Sequence, residues 1–473
     1  MVLFNYYFEP ISTFPVLNVT SAFFIIFVFG TSLISYFWKS ILKPYVLFLA
    51  SIVFIWSYSN DFYYLFIVLA YCIFGYIFGL LLSKFKNKIL LALSILIVVT
   101  ALCFFKYSYL IDINNIIMPL GISFYTFKLI SYLVSVYNGK VSFDYNPIYV
   151  FDYLLFFPSF VSGPILKPKE FINELKEKKS FDFKEARRGW MQLLYGIFEK
   201  IVICDYFGLI VTATLDNSEI SGLAVLLGVF LYALQIYLDF DSYSNIAIGA
   251  SRLFGFNISD NFKTPYLSRN LKEFWSRWHI SLSEWLKEYI YIPLGGNKKG
   301  TVRKYINILV VFLISGVWHG SYMNFIVWGL LHGIIRIIED IIDIPLKKVI
   351  NIDNIFFSII RVIINFVIVC LLWLVFRSSS IEEVVSILNR ISTTSIDFES
   401  LGFTYYQVEW MIILIVFVFI IDLIRYKWDL FKITSKTIFI VRYAIYIIFI
   451  FVFLIFGVYG GSFNSADFIY RWF

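Results

Sequence analysis

The residues best suited to chemistry in this chain are its histidines, of which there are only three among 473 residues. His319 stands in GVWHGSYMNF, between two apolar stretches. Ionisable side chains inside a bilayer are costly and are usually functional. Because imidazole titrates near neutrality, a buried neutral histidine can accept a proton from a hydroxyl group. A core histidine with one hydrogen bond explains His319 equally well, although Gly316 and Gly320 favour close approach of another backbone or a substrate.

The other two histidines give weaker signals. His332 follows His319 in WGLLHG, and on one continuous helix the two residues would stand ~20 Å apart. A shared site therefore requires a break in the helix, and a structural or lipid-interface role is the simpler interpretation of His332. His279 lies in EFWSRWHISLSEW, where it is either an ordinary interface residue beside Trp278 or a group at the mouth of a cavity.

Two acidic residues also stand in an apolar context. Asp239 and Asp241 flank Phe240 in IYLDFDSYSNIAIG. Either carboxylate could neutralise a nearby arginine or hold a loop in place, and structural use is the favoured interpretation. The four cysteines lie singly inside apolar segments and form neither a metal-ligand spacing nor a disulfide framework. We therefore predict no metal site.

The elements that position these residues are predicted to be membrane helices. Hydrophobic residues make up 60% of the chain and charged residues only 15%, well below the charged share of a soluble domain. Many apolar runs are long enough to cross a hydrocarbon core. The predicted fold is an all-α polytopic membrane protein with about 11–13 transmembrane helices in one domain, 1–473. The predicted spans are 20–37, 44–58, 62–83, 88–105, 116–137, 189–213, 222–240, 305–321, 322–341, 355–375, 407–424 and 437–458.

The charge distribution fits this arrangement. The net charge is +7, and basic clusters between the spans all fall on one side if both termini lie outside. Because these residues are dispersed between spans, nucleic acid is excluded as a partner. Two segments are not expected to span: the proline-broken 151–165, read as a re-entrant or interfacial element, and the amphipathic 260–300, read as an interfacial helix. A short surface helix with a loop is expected within 377–401.

Several motifs together resemble one known family. They are PLGISFYTFKLISYLVSVY (119–137), FFPSFVSGPI (156–165), the long block 237–297 that contains SRWHISL and IPLGGN, ISGVWHGSYMNFIVWGLLHG (314–333), and the ending YGGSFNSADFIYRWF. With them the chain resembles the membrane-bound O-acyltransferases, in the branch of the bacterial alginate O-acetyltransferase. The resemblance implies a ring of membrane helices around a thinned central site with re-entrant and interfacial helices.

The resemblance also implies roles for particular residues. His319 would be the catalytic residue and His279 the second histidine of the site. The residues expected to contact substrate are Arg277, Trp278, Asp239, Trp318 and Asn324. No cofactor is expected to stay bound. The donor is expected to be a cytoplasmic thioester, with acetyl-CoA as co-substrate, whose phosphates the basic residues of 263–304 would attract.

The implied setting is a bacterial cytoplasmic membrane, where the lipid bilayer surrounds a multi-pass enzyme. The acceptor would be an envelope polysaccharide, reached through a separate extracytoplasmic acyltransferase or hydrolase-like protein. Because the sequence has no G-x-S-x-G elbow and no cysteine–histidine pairing, direct transfer is favoured over a covalent acyl-enzyme.

Two alternatives remain open from the sequence. The first is transfer of D-alanine to teichoic acids, since that sibling family shares the RWH and WHG elements, although IPLGGN favours the acetyl branch. The second is a transporter for an envelope precursor, which should show internal repeats and paired broken helices that are not evident here.

Overall fold

The computed structural model describes residues 17–37, 42–59, 62–108, 118–177, 180–320, 322–349, 354–391 and 402–458, with the side chains of 346–349 left aside. Within these ranges the chain is helical and contains no β-strand, which confirms the all-α prediction. The α-helices are α1 (Ala22–Phe37), α2 (Lys43–Ser59), α3 (Phe62–Phe85), α4 (Lys88–Tyr107), α5 (Ile122–Tyr137), α6 (Ile148–Leu155), α7 (Pro168–Lys176), α8 (Phe183–Phe198), α9 (Asp205–Val211), α10 (Leu223–Leu253), α11 (Leu271–Trp275), α12 (Ile280–Leu286), α13 (Thr301–His319), α14 (Met323–Val349), α15 (Ile355–Arg377), α16 (Ile381–Ile391), α17 (Tyr405–Lys427), α18 (Leu430–Lys436) and α19 (Phe439–Phe456).

The twelve predicted spans fall on helices in the described part of the chain, and their residues 116–117 and 321 lie outside it. Seven helices there are long and apolar enough to cross a membrane, namely α3, α4, α10, α13, α15, α17 and α19. Shorter apolar helices cover Ala22–Tyr36, Lys43–Tyr58, Ile122–Tyr137 and Ile148–Ser159. Because lipid offers backbone groups no hydrogen-bond partner, helices that satisfy their own backbone are the expected solution for such a sequence. The chain is therefore a multi-pass membrane protein.

The region predicted as one span at 189–213 is a helix of changing pitch. After α8, the π-helical turn Glu199–Cys204 leads into α9, and a second π-helical turn covers Thr212–Asp216. A π-turn inserts one extra residue into the helical repeat and re-aims the side chains around it. The first of these turns carries the buried residue Lys200.

The chain divides into two compact units, of which the first comprises 1–190 and 247–258. In it, the proline-broken segment 151–165 does not form one spanning helix: α6 ends at Leu155, and a 3₁₀ turn Phe157–Ser159 follows. All residues of the segment 151–165 except Phe151 are buried. Gly121 has φ 71°, and a Cβ there would lie 2.5 Å from the carbonyl oxygen of Phe160. Protein thus covers this irregular backbone, as the expectation for a re-entrant element requires.

The second unit comprises 191–246 and 259–473. In it, the prediction of one amphipathic helix over 260–300 is wrong, because the segment is cut into the 3₁₀ turn Pro265–Leu267, α11, α12 and the π-turn Lys287–Tyr291. Two turns and one helix cap mark the cuts. Thr264 and His279 both adopt left-handed backbone conformations, and the side chain of Asn270 starts α11 by accepting a hydrogen bond from Glu273 N.

Two other predictions concern the last quarter of the chain. The short surface helix expected within 377–401 is α16, although 392–401 lie outside the described residues. The motif YGGSFNSADFIYRWF, at 459–473, likewise lies outside the described residues.

Candidate functional site

His319 is the last residue of α13, and only 5% of it is exposed. The helix ends there because Gly320 adopts an extended conformation, and α14 then begins at Met323. The two helices pack closely through glycines: a Cβ at Gly316 would collide with the carbonyl oxygen of Phe325, and a Cβ at Gly329 with that of Phe312. Small residues allow such close helix packing in membranes. The close backbone approach expected at Gly316 is thus present.

Three aromatic rings surround the imidazole of His319. The ring centroids of Trp318, Trp328 and Phe376 lie 4.7, 5.0 and 5.0 Å from it, all in edge-to-face geometry. Trp328 is fully buried and Phe376 is 2% exposed. An aromatic wall of this kind keeps bulk water away from the imidazole. His319 therefore lies in a dry, apolar part of the fold.

His279 occupies a strained turn between α11 and α12, with φ 42° and ψ 56°. Left-handed backbone costs a residue other than glycine roughly 1–2 kcal/mol, so the surrounding contacts must hold it. Asn261 supplies several of them. Its carbonyl accepts from Ile280 N at 2.9 Å, and its Oδ1 accepts from the backbone N and the hydroxyl of Ser281 at 3.0 and 2.9 Å. Asn261 in turn donates through Nδ2 to Ser244 at 3.3 Å.

The imidazole of His279 is 3% exposed and lies against Phe262 and Phe240, with centroid distances of 6.0 and 6.4 Å. Burial lowers the pKa of His279 to about 3, and a backbone hydrogen bond offsets this only in part. Below neutrality and well into the acid range His279 is therefore neutral, with one N–H donor and one acceptor nitrogen.

A continuous aromatic wall connects the two histidines. Phe262, beside His279, lies 5.1 Å from Trp278. Trp278 lies 4.8 Å from Trp373, Trp373 lies 5.9 Å from Trp328, and Trp328 contacts His319. All three tryptophans are at least 97% buried. The structure thus brings two sequence-predicted residues, Trp278 and His279, into one packed assembly with His319.

His332 joins the same wall from α14. It is fully buried, its Nδ1 accepts a hydrogen bond from Trp275 Nε1 at 3.2 Å, and its ring stacks on Phe312 with an interplanar angle of 12°. Trp328 lies 4.7 Å from it. Because the helix breaks after His319, both histidines contact Trp328, instead of standing at the separation that one straight helix would impose. The contacts of His332 are those of a core residue that positions tryptophans.

Asn324 and Arg277 are engaged with the protein itself. Asn324 donates through Nδ2 to the carbonyl of Ser378 at 2.6 Å and so caps the end of α15. Arg277 pairs with Glu273 at 2.8 Å, and its guanidinium lies 4.8 Å from the ring of Tyr426. Burial raises the pKa of Glu273, but its hydrogen bonds with Arg269 and Arg277 and the positive charge of Arg277 outweigh burial. The pKa of Glu273 therefore lies below its ordinary value. The substrate-binding roles of Asn324 and Arg277 stay predictions.

Asp239 pairs with a lysine, whereas its neighbour on α10 pairs with an arginine. Lys200 donates to Asp239 at 2.6 Å and lies 2.9 Å from Asp205. Asp241 forms an ion pair with Arg425. Each of these carboxylates is at least 98% buried. Paired buried charges of this kind accord with the structural interpretation of both aspartates.

Within the described residues, no cluster of three or more potential metal ligands occurs.

Sequence reasoning missed two kinds of residue. Asn261 holds the His279 turn, yet it reads in the sequence as one more polar residue of an amphipathic stretch. Trp373 completes the wall, yet in LLWLVF it is a single aromatic residue inside an apolar span. Asn261 lies within the motif block 237–297, whereas Trp373 lies outside every quoted motif, and both act through contacts distant in sequence.

Comparison with known proteins gives a consistent result. A family model described as MBOAT, membrane-bound O-acyltransferase family, matches residues 80–382, well over half of the chain. The chain is 32% identical over 307 residues to the probable alginate O-acetylase AlgI of Pseudomonas syringae pv. tomato, an alignment covering 62% of this chain and 58% of that protein.

Two further relatives carry other names. The peptidoglycan O-acetyltransferase of Helicobacter pylori is 32% identical over 342 residues, or 64% of each chain. The teichoic acid D-alanyltransferase of Bacillus subtilis is 28% identical over 274 residues, which are 54% of this chain and 68% of that protein. The aligned part of this chain spans less than two thirds of the length of the two O-acetylation relatives.

Proposed function

Because this chain belongs to the membrane-bound O-acyltransferase family, we propose that it transfers an acetyl group from a thioester to an acceptor hydroxyl group, toward a cell-envelope polymer. The choice of an acetyl group is supported by the two relatives named for O-acetylation. Each is 32% identical to this chain, whereas the D-alanyltransferase is 28% identical. The chemistry is assigned to the histidine site in the second unit.

The observation that carries the proposal is the position of His319. Its imidazole is buried and enclosed by the rings of Trp318, Trp328 and Phe376. In such surroundings bulk water, the competing nucleophile, is excluded. A neutral imidazole is a suitable general base for an acceptor hydroxyl.

In the proposed reaction His319 takes the proton of the acceptor hydroxyl while the hydroxyl oxygen attacks the thioester carbonyl carbon. The new C–O ester bond forms, the C–S bond breaks, and the departing thiolate takes up the proton that His319 holds. The chain itself is unchanged at the end of the cycle. General-base assistance of this type contributes typically 10²- to 10⁴-fold in rate.

His279 has the properties of a hydrogen-bond donor to the oxyanion that forms during attack. It is neutral because burial lowers its pKa to about 3, and its turn is fixed by Asn261. Donors held rigidly before the reaction stabilise an oxyanion most effectively, because they need no reorganisation when charge develops.

The remaining parts of the proposal concern the setting. The donor is acetyl-CoA, used as a substrate on the cytoplasmic side, which the positive-inside rule assigns to the basic loops. The final acceptor is an envelope polysaccharide, and a separate extracytoplasmic acyltransferase or hydrolase-like protein passes the acetyl group on to it. The enzyme resides in the bacterial cytoplasmic membrane.

The experiment compares wild type, a deletion strain and a strain with His319→Ala at matched expression. Alkali-labile acetate and D-alanine are released from purified envelope polymers and both are quantified. Loss of acetate in the deletion and in the His319→Ala strain supports the proposal. Loss of D-alanine in both strains instead moves the chain to the branch of the teichoic acid D-alanyltransferases. Normal acetate and D-alanine in the His319→Ala strain contradict the catalytic role.

A matched control comes from the same helix. Asn307 on α13 is also a buried polar residue, and its Nδ2 donates to the carbonyl of Gly296 at 2.9 Å. Asn307→Ala removes a buried polar group from α13 without touching the aromatic wall around His319. If Asn307→Ala abolishes acetylation as completely as His319→Ala at equal protein level, the effect belongs to helix packing and not to base catalysis.

A further inference from the structure

A second site suited to a ligand lies in the first unit, away from any residue used above. A cavity of about 430 Å³ opens where α1 ends, α8 begins and the chain leaves α10. Its walls include Tyr36, Arg188, Arg252 and Phe256. Binding pockets for small molecules have volumes of roughly 300–1,000 Å³, so the cavity has room for a ligand or for the headgroup of one.

Two arginines share one carboxylate at this cavity. Arg252 donates to Glu185 at 2.8 Å, and Arg188 lies 3.8 Å from the same oxygen. The side chain of Arg252 is 4% exposed, whereas that of Glu185 is 47% exposed. Because water screens the exposed carboxylate more strongly than the buried guanidinium, the positive charge dominates at the cavity wall.

The other acidic residue of the wall is already used by the fold. Asp182 accepts hydrogen bonds from the backbone N of Lys184 at 2.7 Å and of Glu185 at 3.4 Å, and thereby caps α8. A carboxylate in this position compensates the helix N-terminus. It therefore offsets less of the charge of the two arginines than its formal charge suggests.

A third cation stands behind the aromatic part of the wall. Lys43 is 6% exposed, and its Nζ lies 4.7 Å from the ring centroid of Phe256 and 5.9 Å from that of Tyr36. The same amino group donates to the carbonyl of Phe254 at 2.7 Å, which fixes it in this place. The cavity wall thus combines two guanidinium groups, two carboxylates and two aromatic faces, and a buried ammonium lies behind the aromatic faces.

We propose that this cavity binds a phosphate group through Arg188 and Arg252. The planar guanidinium matches the geometry of phosphate oxygens, and charge-assisted pairs of this kind are strong. The helix ends that form the cavity belong to the side that the basic loops mark as cytoplasmic. A phosphate can reach it there from two sources, the nucleotide part of a soluble acyl donor or the headgroup of an anionic phospholipid.

The test uses the full chain purified in detergent and has one arm for each source. In the first arm, adenosine 3′,5′-bisphosphate is titrated calorimetrically, with adenosine as the phosphate-free control. In the second arm, native mass spectrometry counts bound phosphatidylglycerol, with diacylglycerol as the control. Binding of either phosphate-bearing probe, with the control ligand left unbound, supports the site and identifies its source.

Variants decide whether the cavity is responsible. Arg188→Gln and Arg252→Gln should each lower the affinity for the probe about tenfold or more, since each removes a charge-assisted contact. Glu185→Gln should strengthen binding, because it removes the competing carboxylate, and this gain does not arise from misfolding. Arg187→Gln, on the neighbouring residue of α8, should leave binding unchanged.

The proposal is overturned if neither probe binds, or if Arg187→Gln weakens binding as much as Arg188→Gln, or if Glu185→Gln has no strengthening effect. The assay measures binding and not acyl transfer. Its outcome is therefore independent of whether His319 is the base, and the two proposals fail separately.

Discussion

The second unit buries polar side chains in two opposite ways. Around His319 the neighbours are rings, with Trp328 and Phe376 each 5.0 Å from the imidazole. Around Lys200 the neighbours are carboxylates, with Asp239 at 2.6 Å and Asp205 at 2.9 Å. Both regions are built from helices and both are closed to solvent. They differ in whether the buried group carries a permanent charge.

The difference follows from desolvation. A buried ammonium or carboxylate is tolerated only when it is paired and hydrogen-bonded, so its contacts are committed to the fold. A neutral imidazole needs no counter-ion and can stand among aromatic rings. The ionic cluster of Lys200, Asp205 and Asp239 is therefore expected to hold helices together, and the histidine site to carry the chemistry. The predictions below separate activity from stability in these two regions.

The largest effect is expected for activity at the histidine site. His319→Ala should reduce acetyl transfer by about 10²- to 10⁴-fold, because the general base is lost. Acetate incorporation into envelope polymer by membranes of equal protein content measures it. The melting temperature of the purified variant should stay close to that of wild type. A variant that unfolds instead would assign His319 to the same structural class as Lys200.

The ionic cluster should show the reverse pattern. Lys200→Met leaves two carboxylates buried without their cation, which is expected to destabilise the protein by about 3–5 kcal/mol. Combining Lys200→Met with Asp205→Asn and Asp239→Asn should recover much of that loss, because no uncompensated charge remains. Thermal unfolding in detergent measures both. Full stability of the single variant would show that the cluster is not what holds these helices.

A smaller effect is expected at the turn that presents His279. Asn261→Ala removes the acceptor for the backbone N and hydroxyl of Ser281, at 3.0 and 2.9 Å. Losing buried hydrogen bonds of this kind costs about 1–3 kcal/mol, and a misplaced His279 should lower acetyl transfer by roughly tenfold. Asn261→Asp keeps the acceptor oxygen and should retain more activity than Asn261→Ala. Equal activity of the two variants would remove Asn261 from the positioning of His279.

The smallest effect is a pH dependence of stability. Burial lowers the pKa of His279 from 6.5 to about 3, so between these values the unfolded chain binds a proton that the folded chain does not. Stability should therefore fall as pH drops below about 6.5, by at most about 1.4 kcal/mol per pH unit for this one group. His279→Gln should flatten the decline in melting temperature between pH 6.5 and 4. An unchanged slope would contradict a neutral His279 in the fold.

Local reasoning worked well for the spans and poorly for what joins them. The apolar run at 305–321 predicted α13 because a hydrophobic segment in lipid must satisfy its own backbone. The stretch 260–300 looked like one amphipathic helix, since aromatic and basic residues alternate along it. Its division into short pieces depends on left-handed turns at Thr264 and His279, and Asn261 holds the second of them from about twenty residues away.

The candidate site shows the same difference between features that local sequence predicts and features that distant contacts set. WHG motifs and glycines pointed to His319 and to close packing at Gly316, both of which are local in sequence. The sequence suggested that Asp239 could pair with an arginine, but its partner is Lys200. Lys200 lies on a π-helical turn that the hydrophobic periodicity did not predict. The partner of a buried charge is whichever opposite charge the folded helices bring within reach.

The sequence by itself determined that this is a helical membrane protein with a histidine at the end of a span, because hydropathy and helix length act along the chain. Only the tertiary structure decided that Trp373 and Trp328 connect the surroundings of His279 and His319. Packing between helices is set by shape and by glycine contacts over long sequence separations. No local pattern encodes which rings will meet.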